Sequence, residues 1–176
     1  MEKLKPWEIT ETLGRMTVII DTREQKTDRA EARYRAFPRK TRRALAFGDY
    51  SAFFELPDGS VFSLEGKVHV ERKMSIDELC QCYTHDRGRF EREFERADRA
   101  GAKLYLLVED ASWEKMYGGR YRSKMRSNAL IASALAWLAR YRCQILFCEP
   151  RTSGKLIRDI LYREGKERLE AENGDD

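Results

Sequence analysis

Six residues of this sequence have the types that hydrolysis of a phosphodiester needs: Asp21, Glu24, Asp49, Glu71, Lys73 and Asp77. Carboxylates offer hard oxygens to a cation such as Mg²⁺, which takes one or two acidic side chains and completes its shell with water. An ion so held binds a phosphodiester oxygen and lowers the pKa of a water for in-line attack. A lysine beside it orients that water or offsets charge on the phosphorane. Glu71-x-Lys73 follows Asp49 by 22 residues and has the i, i+2 spacing that puts two side chains on one face of a strand. Taken alone the pair is a weak signal, because any solvated strand edge shows it. A rival, Glu65-x-Lys67 after Pro57-Asp58, spells the same pattern. It is set aside because Asp58 belongs to a turn and Gly66 weakens strand geometry between the acid and the base.

The elements that must position these residues follow from periodicity. An amphipathic lead-in helix in residues 1–16 precedes Thr17-Val18-Ile19-Ile20, a β-branched run that predicts a buried strand ending at Asp21. Residues 29–43 carry seven bases and one acid, a first basic patch in a helix that stops at Phe37-Pro38. A second strand over 45–56 runs through Gly48-Asp49, turns at Pro57-Asp58-Gly59 and returns through 61–64. In residues 68–73, alternation puts His69, Glu71 and Lys73 on one face and the valines on the other. His69 reads as a packing residue. Ser75 and Glu78 form a capping box for a helix to about Tyr83, and a second helix over 87–100 repeats Phe90 and Phe94 and stops at Gly101.

An apolar central strand at 103–109 leads to a second basic patch at 115–126, read as a loop with five bases, no acid, and Tyr117 and Tyr121 between them. A helix at 128–141 capped by Asn or Ser, a strand at 144–148, and a last helix capped by Thr152 or Ser153 and running through Tyr162 complete the pattern. The order predicts an α/β fold with a mixed central sheet flanked by helices. One domain over 1–163 is expected, with a flexible acidic tail at 164–176 that holds six acids and two bases.

Composition narrows the classes. With 41% hydrophobic and 36% charged residues among 176, the chain is neither disordered nor an apolar membrane protein. No apolar run of membrane length and no signal core is visible, so a soluble, unexported protein is expected, cytoplasmic if bacterial or phage-borne and nuclear if eukaryotic. The net charge is +4, and 23 arginines against 11 lysines suit bidentate contact with phosphate. The four cysteines at 80, 82, 143 and 148 lack zinc spacing and are read as reduced thiols. Two histidines are too few for a site built on histidine ligands.

Gly48-Asp49-Tyr50, Val70-Glu71-Arg72-Lys73-Met74-Ser75-Ile76-Asp77 and Asp21-Thr22-Arg23-Glu24 together resemble the nuclease domain of the XPF-type structure-specific endonucleases. Gly88-Arg89-Phe90 is similar to the family's Gly-Arg-apolar triplet in the next helix, and the likeness covers about residues 16–162. It implies a restriction-endonuclease-like core that cuts branched or flap DNA with Mg²⁺ or Mn²⁺. By resemblance, Asp49, Glu71 and the main-chain carbonyl of Arg72 would ligate the metal, and Lys73 would handle the attacking water. Arg72 and Asp77 would organise the site, and Asp21 and Glu24 would complete the catalytic set. Arg23 and Arg89 would contact DNA, and the charge of the second basic patch independently offers Arg120, Arg122, Lys124 and Arg126 as phosphate contacts. The resemblance further implies a homodimer, with 128–141 and 153–162 as interface candidates, and no nucleotide cofactor. Family members commonly add helix-hairpin-helix modules and sometimes a helicase, which these 176 residues do not hold. The alternatives are a catalytically silent DNA-binding or partner module of the same fold, or a resolvase or restriction-type nuclease.

Overall fold

The computed structural model describes residues 4–174. In chain order the elements are α1 (Pro6–Gly14), β1 (Met16–Ile20), α2 (Asp28–Tyr34), β2 (Lys40–Arg42), β3 (Tyr50–Glu55), β4 (Val61–Ser63) and β5 (Val68–Lys73). They continue as α3 (Ile76–Tyr83), α4 (Arg87–Arg99), β6 (Lys103–Glu109), α5 (Trp113–Tyr117), α6 (Ser127–Arg140), β7 (Cys143–Cys148) and α7 (Pro150–Gly174). The sheet runs β2-β1-β3-β5-β6-β7, with β4 hydrogen-bonded to β3. Strand β3 is antiparallel to β1, β4 and β5, whereas β1/β2, β5/β6 and β6/β7 are parallel. This is the expected mixed sheet flanked by helices.

Both faces of the sheet are covered, which is why β1 is buried at every residue and β6 at all but its first. One core gathers Leu13, Val18, Tyr34, Phe37, Phe54, Val70, Ile157 and Leu161 from the strands and from α1, α2 and α7. The other packs Leu79, Phe90, Phe94, Leu106, Leu130 and Trp137 from the opposite strand face and from α3, α4 and α6. Trp137 is fully buried within ring contact of Tyr83, Phe90, Phe94 and Tyr141. The four cysteines are free thiols. No helix among the described residues is long and apolar enough to cross a membrane.

Several boundaries differ from the sequence reading, each for a local reason. The second strand starts at Tyr50, because Gly48 has φ +69° and bends the chain before it. Helix α2 ends at Tyr34, and three residues after Phe37 become the unexpected parallel edge strand β2. Helix α6 begins at Ser127 with no side-chain cap. Helix α7 starts at Pro150, a residue suited to the first helical position, so Thr152 and Ser153 lie inside its first turn and donate to the carbonyls of Glu149 and Pro150. The largest correction concerns its other end. Rather than stopping at Tyr162, α7 continues to Gly174, with Leu169 fully buried. Glu164, read as the first residue of an acidic tail, accepts hydrogen bonds from Lys103 Nζ (2.6 Å) and Tyr105 Oη (2.5 Å). Gly165 lies so close to Phe54 that an added Cβ would stand 2.2 Å from its ring. Residues 1–3 of the lead-in and Asp175 and Asp176 of the tail lie outside the described residues.

Candidate active site

The site forms where the antiparallel half of the sheet meets the parallel half. Tyr50 pairs with Val70, so the register carries Asp49 to the position opposite Glu71, and the Asp49 N–H donates to the Val70 carbonyl at 2.9 Å. Gly48 makes this bend possible. Its φ lies in the left-handed region, and a Cβ there would meet His69 Cβ at 2.9 Å and the Val70 carbonyl oxygen at 3.3 Å. From the bend, Asp49 Oδ2 accepts the Arg72 backbone N–H at 2.8 Å. Asp49, Glu71 and Lys73 then lie together in a cleft of about 640 Å³.

Glu71 is buried, and its Oε1 accepts from Lys73 Nζ at 2.5 Å. Burial disfavours the Lys73 charge, but the Glu71 carboxylate outweighs it and raises the lysine above its ordinary value. Burial also raises Glu71, against the pull of Lys73. Asp49 is pushed well above the usual carboxylate range, by removal from water first and by repulsion from Glu71 second. Two desolvated carboxylates that repel each other form a donor set whose charge a divalent cation would relieve. Among the described residues no three acidic, His or Cys side chains converge on one point. A cation here would take these two carboxylates and complete its shell with the Arg72 carbonyl and water, a set suited to Mg²⁺ or Mn²⁺.

Around this floor the cleft is lined by Arg23, Arg29, Arg89 and Arg96 together with Glu78 and Glu93. Arg89 is exposed and pairs with Asp86 at 3.5 Å. Glu93, on α4, accepts the Gly48 N–H at 2.8 Å and thereby holds the bend that aims Asp49. Glu78 accepts the Met74 N–H at 2.6 Å, while Ser75 caps α3 by accepting the Glu78 N–H at 3.2 Å.

A mostly buried ionic network borders the cleft, with Glu24, Arg33 and Arg72 in its lining and Glu109 behind them. Arg33 reaches Glu24 (3.5 Å), Glu109 (3.4 Å), Tyr50 Oη (3.1 Å) and Ser153 Oγ (3.3 Å). Arg72 reaches Glu24 (3.4 Å) and Glu109 (3.5 Å) from the other side. Tyr50 Oη donates to Glu24 Oε2 at 3.0 Å. Two guanidinium groups and two carboxylates therefore balance one another. Glu24 also lines the cleft, so it belongs both to the site and to its support.

The family profile described as the ERCC4 domain matches residues 20–158. This chain belongs to that family. No curated protein matches the chain. Among solved structures, XPF from Aeropyrum pernix superimposes with a TM-score of 0.60 at 17% identity, over 84% of this chain and 61% of that one. XPF from Aeropyrum pernix in complex with DNA gives 0.61 at 19% identity, over 88% and 66%. The chain thus spans between 61% and 66% of the XPF chains it matches, and at this identity the likeness establishes the fold. All the candidate residues from Asp21 to Arg126 fall inside the matched span of the ERCC4 domain, whereas α1 and the last turns of α7 lie outside it.

Other residues singled out in the sequence are placed elsewhere in this ERCC4 domain. Asp21 is fully buried and outside the cleft lining. Burial works to raise it, but bonds from the Arg23 side chain (2.6 Å) and from the backbone N–H groups of Leu45 (2.6 Å) and Arg23 (2.8 Å) hold it below its ordinary value. It clamps the loop after β1 to residue 45. Asp77 also stays out of the cleft lining and turns to the 118–126 loop, as do the four bases of that loop. His69 accepts the Gly66 N–H at 3.0 Å and packs against the Phe47 ring in a tilted contact, and burial pushes it down to about 4, so it is a neutral packing residue. The rival Glu65 pairs with Arg43, and Asp58 bonds Ser60 in an exposed turn. Neither Asp58, Glu65 nor Lys67 lines the cleft.

The sequence reading missed Arg33, Tyr50, Glu93 and Glu109. Glu109 had a signal, a carboxylate closing an otherwise apolar parallel strand on the edge where sites form. Arg33 and Glu93 had none, since each sits in a charge-rich helix whose solvent face looks the same on paper.

Proposed function

We propose that this ERCC4 domain is a metal-dependent endonuclease that hydrolyses phosphodiester bonds in branched or flap DNA. The observation that carries the reading is the convergence of Asp49, Glu71 and Lys73 on the floor of one arginine-lined cleft. Asp49 and Glu71, with the Arg72 carbonyl, would hold Mg²⁺ or Mn²⁺, and the bound ion would supply Lewis-acid polarisation of the phosphodiester and an activated water. Lys73 offers its ammonium donors to that water or to a phosphate oxygen, beside the acid that fixes it. Arg23, Arg29 and Arg89 on the walls fit the flanking phosphates, giving contacts that position the strand without reading its sequence. The DNA bound to the Aeropyrum pernix XPF relative supports DNA as the substrate class. Retention of all three floor residues favours an enzyme over a silent partner module.

End-labelled three-prime-flap, splayed-arm, four-way and linear duplex DNA, with a matched RNA, test this with Mg²⁺, Mn²⁺ or EDTA. Metal-dependent cuts beside the branch are expected. Binding without cutting in every metal would overturn the enzyme in favour of the binding module, and equal cutting of linear duplex would overturn structure specificity.

The same reading includes a homodimer. Strand β7 is a sheet edge whose residues 145–148 are only partly covered, and Leu135 on α6, the helix packed against it, is 47% exposed. An open apolar edge of this kind is a template for pairing. Light scattering at micromolar concentration should give twice the chain mass; a monomer there removes the dimer.

A further inference from the structure

The motif carboxylate Asp77 faces away from the chemistry. It sits in the first turn of α3, four residues after Lys73, and its hydrogen bonds go to the loop that follows α5. Oδ1 accepts the backbone N–H groups of Arg122 (2.8 Å) and Ser123 (2.6 Å), and Oδ2 accepts Arg122 Nε at 3.3 Å. Met74, Glu78, Gln81 and Cys82 border the cleft from the same stretch of chain. Helix α3 is therefore a wall shared by the cleft on one side and the loop on the other.

The loop itself alternates. Arg120, Arg122, Lys124 and Arg126 are exposed, while Tyr121, Ser123 and Met125 between them are partly buried, with Tyr121 and Met125 packed against the core. Tyr121 Oη donates to the Met125 carbonyl at 2.8 Å, a second internal tie. Arg122 keeps a side chain 93% exposed despite its bond to Asp77. Arg120, Lys124 and Arg126 make no ion pair among the described residues, whereas the one buried base of the first patch, Arg33, is held by Glu24 and Glu109. Although Arg122 has Asp77 and Arg120 has Glu114 nearby, these bases form a locally positive, exposed set on a loop tied at Asp77 and at Tyr121. An array of fixed cations beside a phosphodiester cleft fits a phosphate backbone.

We infer that Asp77 is a positioning residue for substrate binding: it pins the 118–126 loop to α3 so that Arg120, Lys124 and Arg126 hold DNA phosphates beside the cleft. This deepens the nuclease reading and rests on it, but its effect is on holding DNA and not on breaking the bond.

Asp77→Ala, Asp77→Asn and the double variant Arg120→Gln/Lys124→Gln test it. The readouts are flap-DNA binding by fluorescence anisotropy in EDTA across salt concentrations, the single-turnover rate at saturating DNA with Mg²⁺, and trypsin cleavage within the loop. Asp77→Ala should weaken binding about tenfold, leave the saturating rate within about twofold, and speed trypsin cutting at 120–126, the loss expected when ordered phosphate contacts become floppy. Asp77→Asn keeps an acceptor for the two backbone N–H groups and should recover most of the binding. The double variant should lower the slope of log K against log salt by about 2, at roughly 0.9 for each phosphate contact. Unchanged binding in Asp77→Ala, or a lost saturating rate with binding intact, would overturn the assignment. Because anisotropy needs no cleavage, a protein that cuts nothing fails the nuclease reading while these binding arms still decide the role of Asp77.

Discussion

Asp49→Asn will fold, melt no lower than the parent and cut flap DNA about a thousandfold more slowly. The kinetic half follows from charge. Asp49 and Glu71 are the two carboxylates in the donor set, and replacing one by an amide removes half the anionic field that would hold a divalent cation, at a cost of several kcal/mol in transition-state stabilisation. The stability half follows from the same geometry read without a ligand. The Asp49 charge is opposed by burial and by Glu71, so an amide of the same shape relieves that repulsion and keeps an acceptor for the Arg72 N–H. Catalytic sites commonly trade stability for charge in this way. Lys73→Ala should lose activity to a similar extent but should melt lower, because Glu71 is then buried without its cation. Glu65→Ala is the control for the rival motif. Its partly exposed pair with Arg43 contributes at most about 1 kcal/mol, and cleavage should be intact. Thermal melts beside single-turnover rates check all three. Cleavage lost in Glu65→Ala but kept in Asp49→Asn would move the site to the β4–β5 turn.

What was legible in the sequence is local. Period-2 alternation over Val68–Lys73 identified the strand that carries Glu71 and Lys73, although its first four residues are buried on both faces and the polar side belongs to the site and not to solvent. Pro57-Asp58-Gly59 fixed the hairpin, since a turn needs those backbone angles, and Gly59 indeed has φ +83°. Ser75 was readable as a cap for the same kind of reason. What was not legible depends on partners far along the chain. Thr152 and Ser153 have capping side chains, yet Pro150 starts the helix ahead of both, at the position where its missing N–H costs nothing. The acidic composition of 164–176 hid the i, i+4 burial of Gly165 and Leu169 against the sheet, and charge content alone suggested a solvated tail. Asp21 and Asp77 were read as catalytic carboxylates from their motif positions, but both lie outside the cleft lining, and which backbone N–H groups each accepts is set by loops 24 and 45 residues away. The first basic patch looked like a surface, whereas Arg33 is among the most deeply buried groups near the site.

That buried arginine gives the second large expected effect: Arg33→Ala should destabilise the domain by about 3–5 kcal/mol, the loss seen when one partner of a buried ion pair is removed. Its side chain is 3% exposed, and those of Glu24 and Glu109 are 8% and 1% exposed, so the two carboxylates are poorly hydrated and depend on their cations. Removing it leaves two carboxylates facing Arg72 alone, at 3.4 and 3.5 Å, and strips Tyr50 Oη of a donor. Arg33→Met should lose nearly as much, because volume is restored and charge is not. Adding Glu109→Gln to Arg33→Met should return part of the loss, since one unpaired anion disappears with the cation that balanced it. Urea denaturation of the four proteins measures this directly, and a loss under about 1 kcal/mol in Arg33→Ala would show that the network does not hold the fold. The consequence for chemistry is a chain of contacts. Arg72 carries the N–H that fixes Asp49, and its side chain is fixed by the same two carboxylates that Arg33 balances. A variant that unbalances them should therefore cleave more slowly even where it remains folded, with DNA binding in EDTA close to that of the parent, because the displaced group is the aspartate on the cleft floor and not the cations on its walls.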